Sequence, residues 1–318
     1  MRLIFLGYHN IGHACLGVLI DHCRHFGDEI AAVVTHADDP QENRWFASVR
    51  DLAFENYLPV YQPRDPNDSR FVEAMRNLSP DFLFSVYYRH MLKKPLLDLP
   101  SRGALNLHGS LLPRYRGRCP VNWVLINGEQ ETGVTLHYME EKPDKGDIVG
   151  QERVVIQPDD TALTLFARMT VAAGTLMRET YPLLRAGAAP RFPQDQSQAS
   201  YFGDRKPSDG LISWDKGAVP VYNLVRAVTH PYPGAFTYLR GKKLFIWAGK
   251  PLADPAAEPP GDPRQPGLVT AHLPGEGLLV TTGQGHFLIT QAQWEGQPEF
   301  LGPVIATWDY LVRERLGS

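Results

Sequence analysis

The first half of the chain alternates short apolar runs with longer polar stretches of helical character. Strands that alternate with helices in this way predict an α/β fold, with a mainly parallel sheet and helices on both faces. In such sheets ligands bind at the carboxyl ends of the strands. The runs typical of buried strands are LIFLG, IAAVVTH, LPVYQ, FLFSVYY, GALNLH and GVTLHYM.

The second half has a different pattern. An amphipathic helical stretch that begins near TALTLF predicts the end of a first domain at Gly187, so that this domain spans residues 1–187. Residues 188–200 are rich in Pro, Gln and Ser and predict an exposed linker. Residues 201–318 contain short strand-like runs between turns, which is typical of a small antiparallel barrel. The proline-rich stretch from Pro251 to Gly267 predicts a mobile loop of that barrel.

Composition narrows the class of protein. A chain of 318 residues with 43% hydrophobic content can bury a large core. No run approaches the roughly 20 apolar residues that a membrane span needs, and the amino terminus reads as a first strand rather than a signal peptide. The three cysteines have no metal-type spacing, and the early glycines lack the G-x-G-x-x-G pattern of dinucleotide sites. We therefore expect a cytoplasmic protein without a metal, a disulfide framework or NAD.

Two polar residues interrupt the apolar run GALNLH. Asn106 and His108 are two positions apart, so on a strand they share one face. His108 can give and take a proton near neutral pH, and the amide of Asn106 can stabilise a developing oxyanion. Asp144 lies in the irregular loop KPDKGDI; if that loop folds back across the strand ends, its carboxylate raises the pKa of His108. The three side chains together suit acyl or formyl transfer to an amine.

Each of these residues alone has a simpler explanation. An Asn-X-His at the end of a strand is commonly a hydrogen-bonded turn feature, and a single loop aspartate is commonly solvated. The ordered combination is far more specific, because Asn-X-His is followed in turn by SLLPRYRG, TGVT and Asp-X-Gly.

This ordered string resembles the motif shared by the folate-dependent formyltransferases. The similarity is greatest to the formyltransferase domain of the bifunctional polymyxin-resistance enzymes, which formylates UDP-4-amino-4-deoxy-L-arabinose in lipid A modification. It implies a Rossmann-like catalytic domain with the formyltransferase fold and an OB-like C-terminal barrel. It also implies that His108 is the general acid–base residue, that Asn106 stabilises the tetrahedral state, and that Asp144 raises the pKa of His108. Supporting strings across nearly the whole chain are YHNIG, VVTHADDP, FSVYYRHML, PVNWVLINGE and VRAVTHPYPGAF.

The resemblance further implies that 10-formyltetrahydrofolate is the formyl donor. Arg114 and Arg116 flank Tyr115 on the expected folate side; they could be structural, attract the folate glutamate tail or steer a nucleotide, and the sequence leaves these roles open. The residues expected to hold the donor are His90, Met91, Leu92, Arg118, Glu140, Glu141, Lys142, Pro143 and Asp144.

The charge of the C-terminal region limits which kind of formyl acceptor the protein could bind. Residues 201–318 contain 11 Lys or Arg and 11 Asp or Glu, so they lack the basic excess that a tRNA partner requires. A nucleotide sugar needs only a few diphosphate contacts, which an arginine supplies well. By resemblance Arg205 makes that contact, and Tyr232 and Pro233 shape the wall of the sugar or uracil pocket; a surface arginine and a packing aromatic are the simpler alternatives. We expect a nucleotide sugar and folate as partners, and no nucleic acid.

Two other functions are also compatible with the sequence. One is formyl transfer to a different amine, such as a dTDP-amino sugar, glycinamide ribonucleotide or methionyl-tRNA. The other is a non-catalytic folate or nucleotide sensor, which has no need for all three of Asn106, His108 and Asp144. The enzymes that the chain resembles usually carry a C-terminal dehydrogenase–decarboxylase domain. Here that activity is expected from a separate protein of the same pathway, from a segment lost by truncation, or not at all if the sugar differs.

Overall fold

The computed structural model describes residues 1–37, 44–252 and 265–317. Within these ranges the chain divides into two units, each built from more than one stretch of sequence. The first unit comprises Met1–Pro120, Glu131–Val155 and Phe166–Gly203. The second unit comprises Val121–Gln130, Ile156–Leu165 and Asp204–Ser318.

The first unit is organised around a seven-stranded sheet with the strand order β3–β2–β1–β4–β5–β7–β8 and a separate two-stranded pair, β6–β9. In chain order these strands are β1 Arg2–Gly7, β2 Glu29–Val34, β3 Val60–Tyr61, β4 Phe82–Val86, β5 Ala104–His108, β6 Arg116–Gly117, β7 Glu131–Tyr138, β8 Ile148–Val155 and β9 Tyr201–Phe202.

In the first half of the chain the α-helices alternate with these strands as predicted, whereas α7 and α8 belong to the second unit. The longest matches the helical stretch predicted before Gly187. In chain order they are α1 His9–Phe26, α2 Val49–Glu55, α3 Ser69–Arg76, α4 Lys94–Leu97, α5 Pro120–Ile126, α6 Ala162–Ala186, α7 Ala218–Val228 and α8 Gly302–Ile305.

The sheet is mainly parallel, as predicted. Strands β3, β2, β1, β4 and β5 pair in parallel, and β7 and β8 extend the sheet in antiparallel pairing. Consecutive residues of β1 from Leu3 to Leu6 are at most 1% exposed, so both faces of this central strand are covered. The Rossmann-like α/β fold class is confirmed.

The second unit contains an antiparallel sheet with the order β10–β11–β14–β13–β12, to which β15 adds beside β14. The strand-like character and the antiparallel arrangement predicted for residues 201–318 are confirmed. These strands are β10 Ala235–Leu239, β11 Lys242–Leu252, β12 Val269–Leu273, β13 Gly277–Thr281, β14 His286–Trp294 and β15 Glu299–Leu301.

Some predicted features lie outside the described residues, and one differs in part from the prediction. Most of the loop predicted from Pro251 to Gly267 lies outside the described residues, as do residues 38–40 of the string VVTHADDP. In the stretch 188–200, predicted as an exposed linker, most side chains are exposed, but Gln194 is only 7% exposed and Phe192 pairs with Ile148. Among the described residues no helix is long and apolar enough to cross a membrane.

Packing explains why the TGVT string has a glycine. Gly133 lies on β7 opposite Arg153 of β8. A methyl group added there would lie 2.2 Å from the carbonyl oxygen of Glu152 and 2.6 Å from a methyl group of Leu111. Both distances are too short for real atoms. The contact with Glu152 involves the main chain, which cannot move away as a flexible side chain could.

We expect Gly133→Ala to lower the free energy of unfolding by about 1–3 kcal/mol, the usual cost of overpacking. Gly17→Ala is the matched control, because Gly17 lies inside α1 and an added methyl group meets nothing within 4 Å. That substitution should raise stability by about 0.5–1 kcal/mol, since alanine favours helix. Urea denaturation of both variants checks the pair. Equal stability of the two variants would contradict the packing argument.

Candidate active site

The end of β5 and the facing part of β7 place three polar side chains together. Asn106 and His108 alternate with buried leucines on β5, so both lie on one face of the sheet. The register pairs Asn106 with His137 of β7, and residues directly opposite each other share a face. His108 is 7% exposed and His137 is 1% exposed. The two imidazoles therefore work in a largely dry environment.

Asp144 approaches this face from the connection between β7 and β8. Its backbone has φ 57°, in the left-handed region that aspartate tolerates better than most residues. One carboxylate oxygen, Oδ2, accepts a hydrogen bond of 2.9 Å from the main-chain N–H of Gly117. The other, Oδ1, lies 3.6 Å from His108 Nδ1 and 3.7 Å from His137 Nε2. The loop does fold back, and it brings together the three residues that the sequence singled out.

The tautomer of His108 follows from its second contact. Nε2 lies 2.8 Å from the carbonyl oxygen of Tyr115, and a carbonyl can only accept, so Nε2 carries a proton. In the neutral ring the lone pair is then on Nδ1, the nitrogen that faces Asp144. A proton gained at Nδ1 would lie beside the carboxylate and be stabilised by it. The ring is thus oriented to accept a proton at one defined atom.

His137 is a site residue that sequence reasoning missed. Its Nδ1 donates to the carbonyl oxygen of Tyr138 at 2.8 Å, and in the neutral ring Nε2 accepts from Asn106 Nδ2 at 3.2 Å. With the ring neutral, this contact turns the amide nitrogen of Asn106 toward His137. One hydrogen of that nitrogen is used, and the other stays available for a substrate oxygen. Alternation along TGVTLHYM places His137 on a definite face, but only the strand register brings that face to Asn106.

The TGVT and SLLP strings also meet. Thr135 Oγ1 donates to the carbonyl oxygen of Ser110 at 2.6 Å and accepts from the N–H of Leu112 at 3.1 Å. Gln151 Nε2 donates to both Thr135 Oγ1 and the carbonyl oxygen of Leu112, each at 2.9 Å. These bonds attach the loop after His108 to β7 and β8. They explain why two strings that lie apart in sequence belong to one motif.

The charge state of Asp144 follows from opposed effects. Burial alone would raise the pKa of its carboxyl, because it disfavours the charged form. The neighbouring His108, with the imidazole of His137 and the N–H of Gly117, outweighs burial and holds the pKa well below its ordinary range. The site therefore contains a carboxylate that stays ionised at every physiological pH.

Two segments expected to hold folate lie near each other in the first unit. The side chain of Leu92 is buried in the hydrophobic cluster of the sheet, against which Met139 also packs. His90 and Met91 are exposed, as are Arg118 and residues 140–143. Asn67 shapes the first segment, because it donates to the carbonyl oxygen of Met91 at 2.9 Å and accepts from the N–H of Lys93 at 2.7 Å.

The residues expected to hold the sugar nucleotide belong to the second unit. Arg205 donates to the carbonyl oxygen of Asp209 at 3.0 Å, and its guanidinium lies 4.9 Å from the ring centre of Trp123. Tyr232 is half-buried and Pro233 is exposed. Arg205 and the tryptophan of the PVNWVLINGE string, which lie far apart in the sequence, are thus in contact. Across the described ranges, no group of three or more His, Cys, Asp and Glu side chains could hold a metal ion.

The lowered pKa of Asp144 links the site to stability. Because the unfolded carboxyl has a pKa of about 3.9, the folded carboxylate contributes stability that is present above that value and is lost as the pH falls below it. We expect the difference in unfolding free energy between the wild type and Asp144→Asn to be largest above about pH 5 and to shrink toward pH 3. Urea denaturation across this range measures it. The exposed Asp21 of α1 provides a control, Asp21→Asn, and a pH-independent difference for Asp144→Asn would refute the link.

Comparison with known proteins gives the site its context. The formyl transferase family model matches residues 1–180, and the model of the formyl transferase C-terminal domain matches residues 205–304. WlaRD, a sugar 3N-formyl transferase crystallised with dTDP and 5-N-formyl-THF, is 17% identical with a TM-score of 0.66, and the match covers 94% of this chain and 99% of that one.

Two further solved structures share the fold. The N-formyltransferase of Helicobacter canadensis, in complex with folinic acid and dTDP-3-aminofucose, is 20% identical with a TM-score of 0.66, over 92% of this chain and 99% of that one. HypX of Aquifex aeolicus, in complex with tetrahydrofolic acid, is 18% identical with a TM-score of 0.61, over 96% of this chain and 47% of that one. The first family model matches more than half of the residues of this chain, so the chain belongs to the formyl transferase family.

Proposed function

We propose that this protein transfers a formyl group from 10-formyltetrahydrofolate to the amine of a nucleotide-linked amino sugar, UDP-4-amino-4-deoxy-L-arabinose in particular. The observation that carries the chemistry is the arrangement around His108. Its Nε2–H is anchored on the carbonyl oxygen of Tyr115, and its Nδ1 faces an ionised Asp144 at 3.6 Å. Asn106 lies on the same face of β5. A proton acceptor, a charge stabiliser and an oxyanion donor are thus assembled at one place.

The residues present fit the folate donor. The hydroxyl of Tyr88, two residues before His90, is buried and has no hydrogen-bond partner within the part of the chain that the structure describes. A buried polar group of this kind indicates a missing partner, and a folate offers several. His90 and Met91 are exposed close to Tyr88 in sequence, Arg118 is exposed next to Gly117, and the exposed residues 140–143 lead to Asp144. When bound, 10-formyltetrahydrofolate supplies an electrophilic formyl carbon.

His108 moves the proton. As the acceptor amine attacks the formyl carbon, it becomes acidic and loses a proton to Nδ1 of His108. The imidazolium so formed donates through Nε2 to Tyr115 and lies beside Asp144, which offsets its positive charge. The same proton can then pass to the departing folate nitrogen. His108 ends the cycle neutral, and no covalent bond to the protein is needed.

Asn106 stabilises the oxygen on which negative charge develops. One hydrogen of its amide is held by His137, so the second points away from that ring in a fixed direction. A donor that needs no reorientation is worth more than a solvent molecule, because its cost of ordering was met on folding. His137 and Asp144 act through Asn106 and His108 and do not have to touch the substrate.

The choice of acceptor has separate support. WlaRD was crystallised with dTDP, and the H. canadensis enzyme with dTDP-3-aminofucose, so the fold accommodates nucleotide sugars. Equal numbers of basic and acidic residues in 201–318 disfavour a tRNA acceptor. Arg205 lies over Trp123 in the second unit, which offers a cation and an aromatic ring to a nucleotide diphosphate.

We propose that the transfer takes place in the cytoplasm and serves lipid A modification, and through it polymyxin resistance. A separate dehydrogenase–decarboxylase is the expected partner in that pathway. The transfer itself needs no metal.

We expect Asn106→Ala and His108→Ala each to lower kcat by roughly 100- to 1000-fold, the usual cost of removing an oxyanion donor or a general base. Initial rates of formylation measure the effect, and thermal unfolding checks that each variant is folded. His25→Ala, on the exposed surface of α1, is the matched control and should have the wild-type rate. Near-normal turnover by either site variant would exclude the assigned roles.

The acceptor is tested by a panel assayed with 10-formyltetrahydrofolate: UDP-4-amino-4-deoxy-L-arabinose, dTDP-3-amino and dTDP-4-amino sugars, glycinamide ribonucleotide and methionyl-tRNA. We expect the UDP sugar to have the highest kcat/KM. Preference for a dTDP sugar would keep the class of acceptor and reject the uridine nucleotide. Formylation of glycinamide ribonucleotide or methionyl-tRNA alone would reject the amino-sugar assignment. Folate binding without transfer to any amine would favour the sensor.

A further inference from the structure

A fully buried arginine lies beside the catalytic loop. Arg116, the arginine next to the glycine of SLLPRYRG, is 0% exposed. Each hydrogen-bond partner that the described residues give its guanidinium is uncharged: Gln194 Oε1 at 3.2 Å from Nε and 2.6 Å from Nη2, Gln196 Oε1 at 2.9 Å and Tyr201 Oη at 2.7 Å. A buried cation held only by neutral groups costs stability, which indicates that it serves a function.

Gln194 connects this cation to Asp144. Its Oε1 accepts the two hydrogen bonds from Arg116, which fixes the orientation of the amide. Its Nε2 then donates to the carbonyl oxygens of Asp144, at 2.9 Å, and Gly146, at 2.7 Å. The side chain is 7% exposed, so water does not compete for these bonds. Arg116 therefore holds the main chain of the Asp144 loop through one intermediary.

Three consecutive residues hold both members of the His108–Asp144 pair. The carbonyl oxygen of Tyr115 accepts from His108 Nε2, and the N–H of Gly117 donates to Asp144 Oδ2. Between them, Arg116 holds the Asp144 main chain through Gln194. The distance between the imidazole and the carboxylate is thus set by a single short segment, 115–117.

The Asp144 loop needs such support. Asp144 has φ 57°, in the left-handed region, which aspartate tolerates better than most residues but less readily than glycine. A methyl group at Gly146 would lie 2.0 Å from the carbonyl oxygen of Tyr138, so the chain turns back against β7 at close range. The hydrogen bonds from Gln194 reach the main chain on either side of Lys145 and hold this turn.

We propose that Arg116 and Gln194 are positioning residues for formyl transfer, which fix the main chain of the Asp144 loop and so hold the Asp144 carboxylate at its working distance from His108. The kinetic consequence rests on the proposed function, whereas the structural one does not. The other ionisable groups that face this assembly are His137 on β7, Lys145 in the loop, and Tyr201 on β9 with its ring beneath Arg116 and Lys145. Of the roles left open for Arg116 by its sequence, burial selects the structural one.

The hydrogen bonds that run from Arg116 through Gln194 to the main chain of the Asp144 loop form a relay. Two substitutions isolate it. Gln194→Met keeps the length of the side chain and removes all its hydrogen bonds. Gln194→Glu keeps an acceptor for Arg116, so that the cation stays paired, and removes the two donors to the Asp144 loop. Gln198→Ala is the matched control, because Gln198 lies in the same segment, is exposed, and donates to Asp195.

The first readout is amide hydrogen exchange at Gly117, whose N–H is held by the Asp144 carboxylate. This exchange measurement requires no substrate. We expect Gln194→Met and Gln194→Glu to accelerate this exchange by at least about tenfold, while the amide of Arg118, which donates to the carbonyl oxygen of Phe202, keeps its protection. Gln198→Ala should change neither amide. Unchanged exchange at Gly117 in a folded variant, or equal loss at both amides, would overturn the proposal; if Gln194→Met does not fold, Gln194→Glu decides.

The second readout is kinetic. We expect each Gln194 variant to lower kcat by about 10- to 100-fold with the KM of the formyl donor little changed, as for a misplaced catalytic group. In an Asp144→Asn background the same substitution should cost about twofold or less, since its effect passes through the carboxylate. Full multiplicative effects in the double variant would show a merely structural role. If the wild type formylates none of the amines tested, the proposed function fails, while hydrogen exchange still decides whether the relay exists.

Discussion

The arrangement of this site depends on one carboxylate that is buried and still ionised. Asp144 lies among groups that can bear or share positive charge: His108, His137 and the N–H of Gly117. Each of them comes from a different element, namely β5, β7 and β6. A buried carboxylate is stable only where such partners converge, so the sheet register, the return of the β7–β8 connection and the path of the RYRG segment are all required at once. The same convergence gives His108 a fixed tautomer and a neighbour that stabilises its charged form.

The sequence allowed much of this to be predicted, because the signals were local. Apolar runs of five to seven residues were sufficient to place the strands of the parallel sheet, and turn residues marked where side chains leave it. Asn106 and His108 could be placed on one face because alternation along a strand is a property of the backbone. The fold-back of the Asp144 loop was a condition of the hypothesis, and the structure meets it. Acyl or formyl transfer was predicted from the residue types, and the resemblance of the ordered string to the formyltransferase motif implied formyl transfer.

What the sequence did not reveal depends on pairing between distant segments. His137 belongs to the site only because β7 pairs antiparallel with β5 in the register that sets it opposite Asn106. Strands β6 and β9 have two residues each, too few for any periodicity. They form only because the two segments pair, with Arg116 opposite Tyr201. Gln194 looked like one polar residue in a polar linker; its burial follows from the carbonyl oxygens that it satisfies. Gly133 and Thr135 made the TGVT string recognisable, while the reasons for it lay in β8 and in the SLLP loop.

The pairing of β6 with β9 also has a consequence for how the protein is made. The N–H of Tyr115 is bound by the hydroxyl of Ser200, a residue 85 positions later, and the N–H of Arg116 by its carbonyl oxygen. During synthesis the segment that orients His108 must therefore wait until the ribosome has released the chain through Phe202. A nascent chain that ends with α6 already contains Asn106, His108 and Asp144, yet it lacks the strand that holds them in order. The site is thus completed only after β9 has been made, and any shortened version meant to keep the site must include residues 200–202.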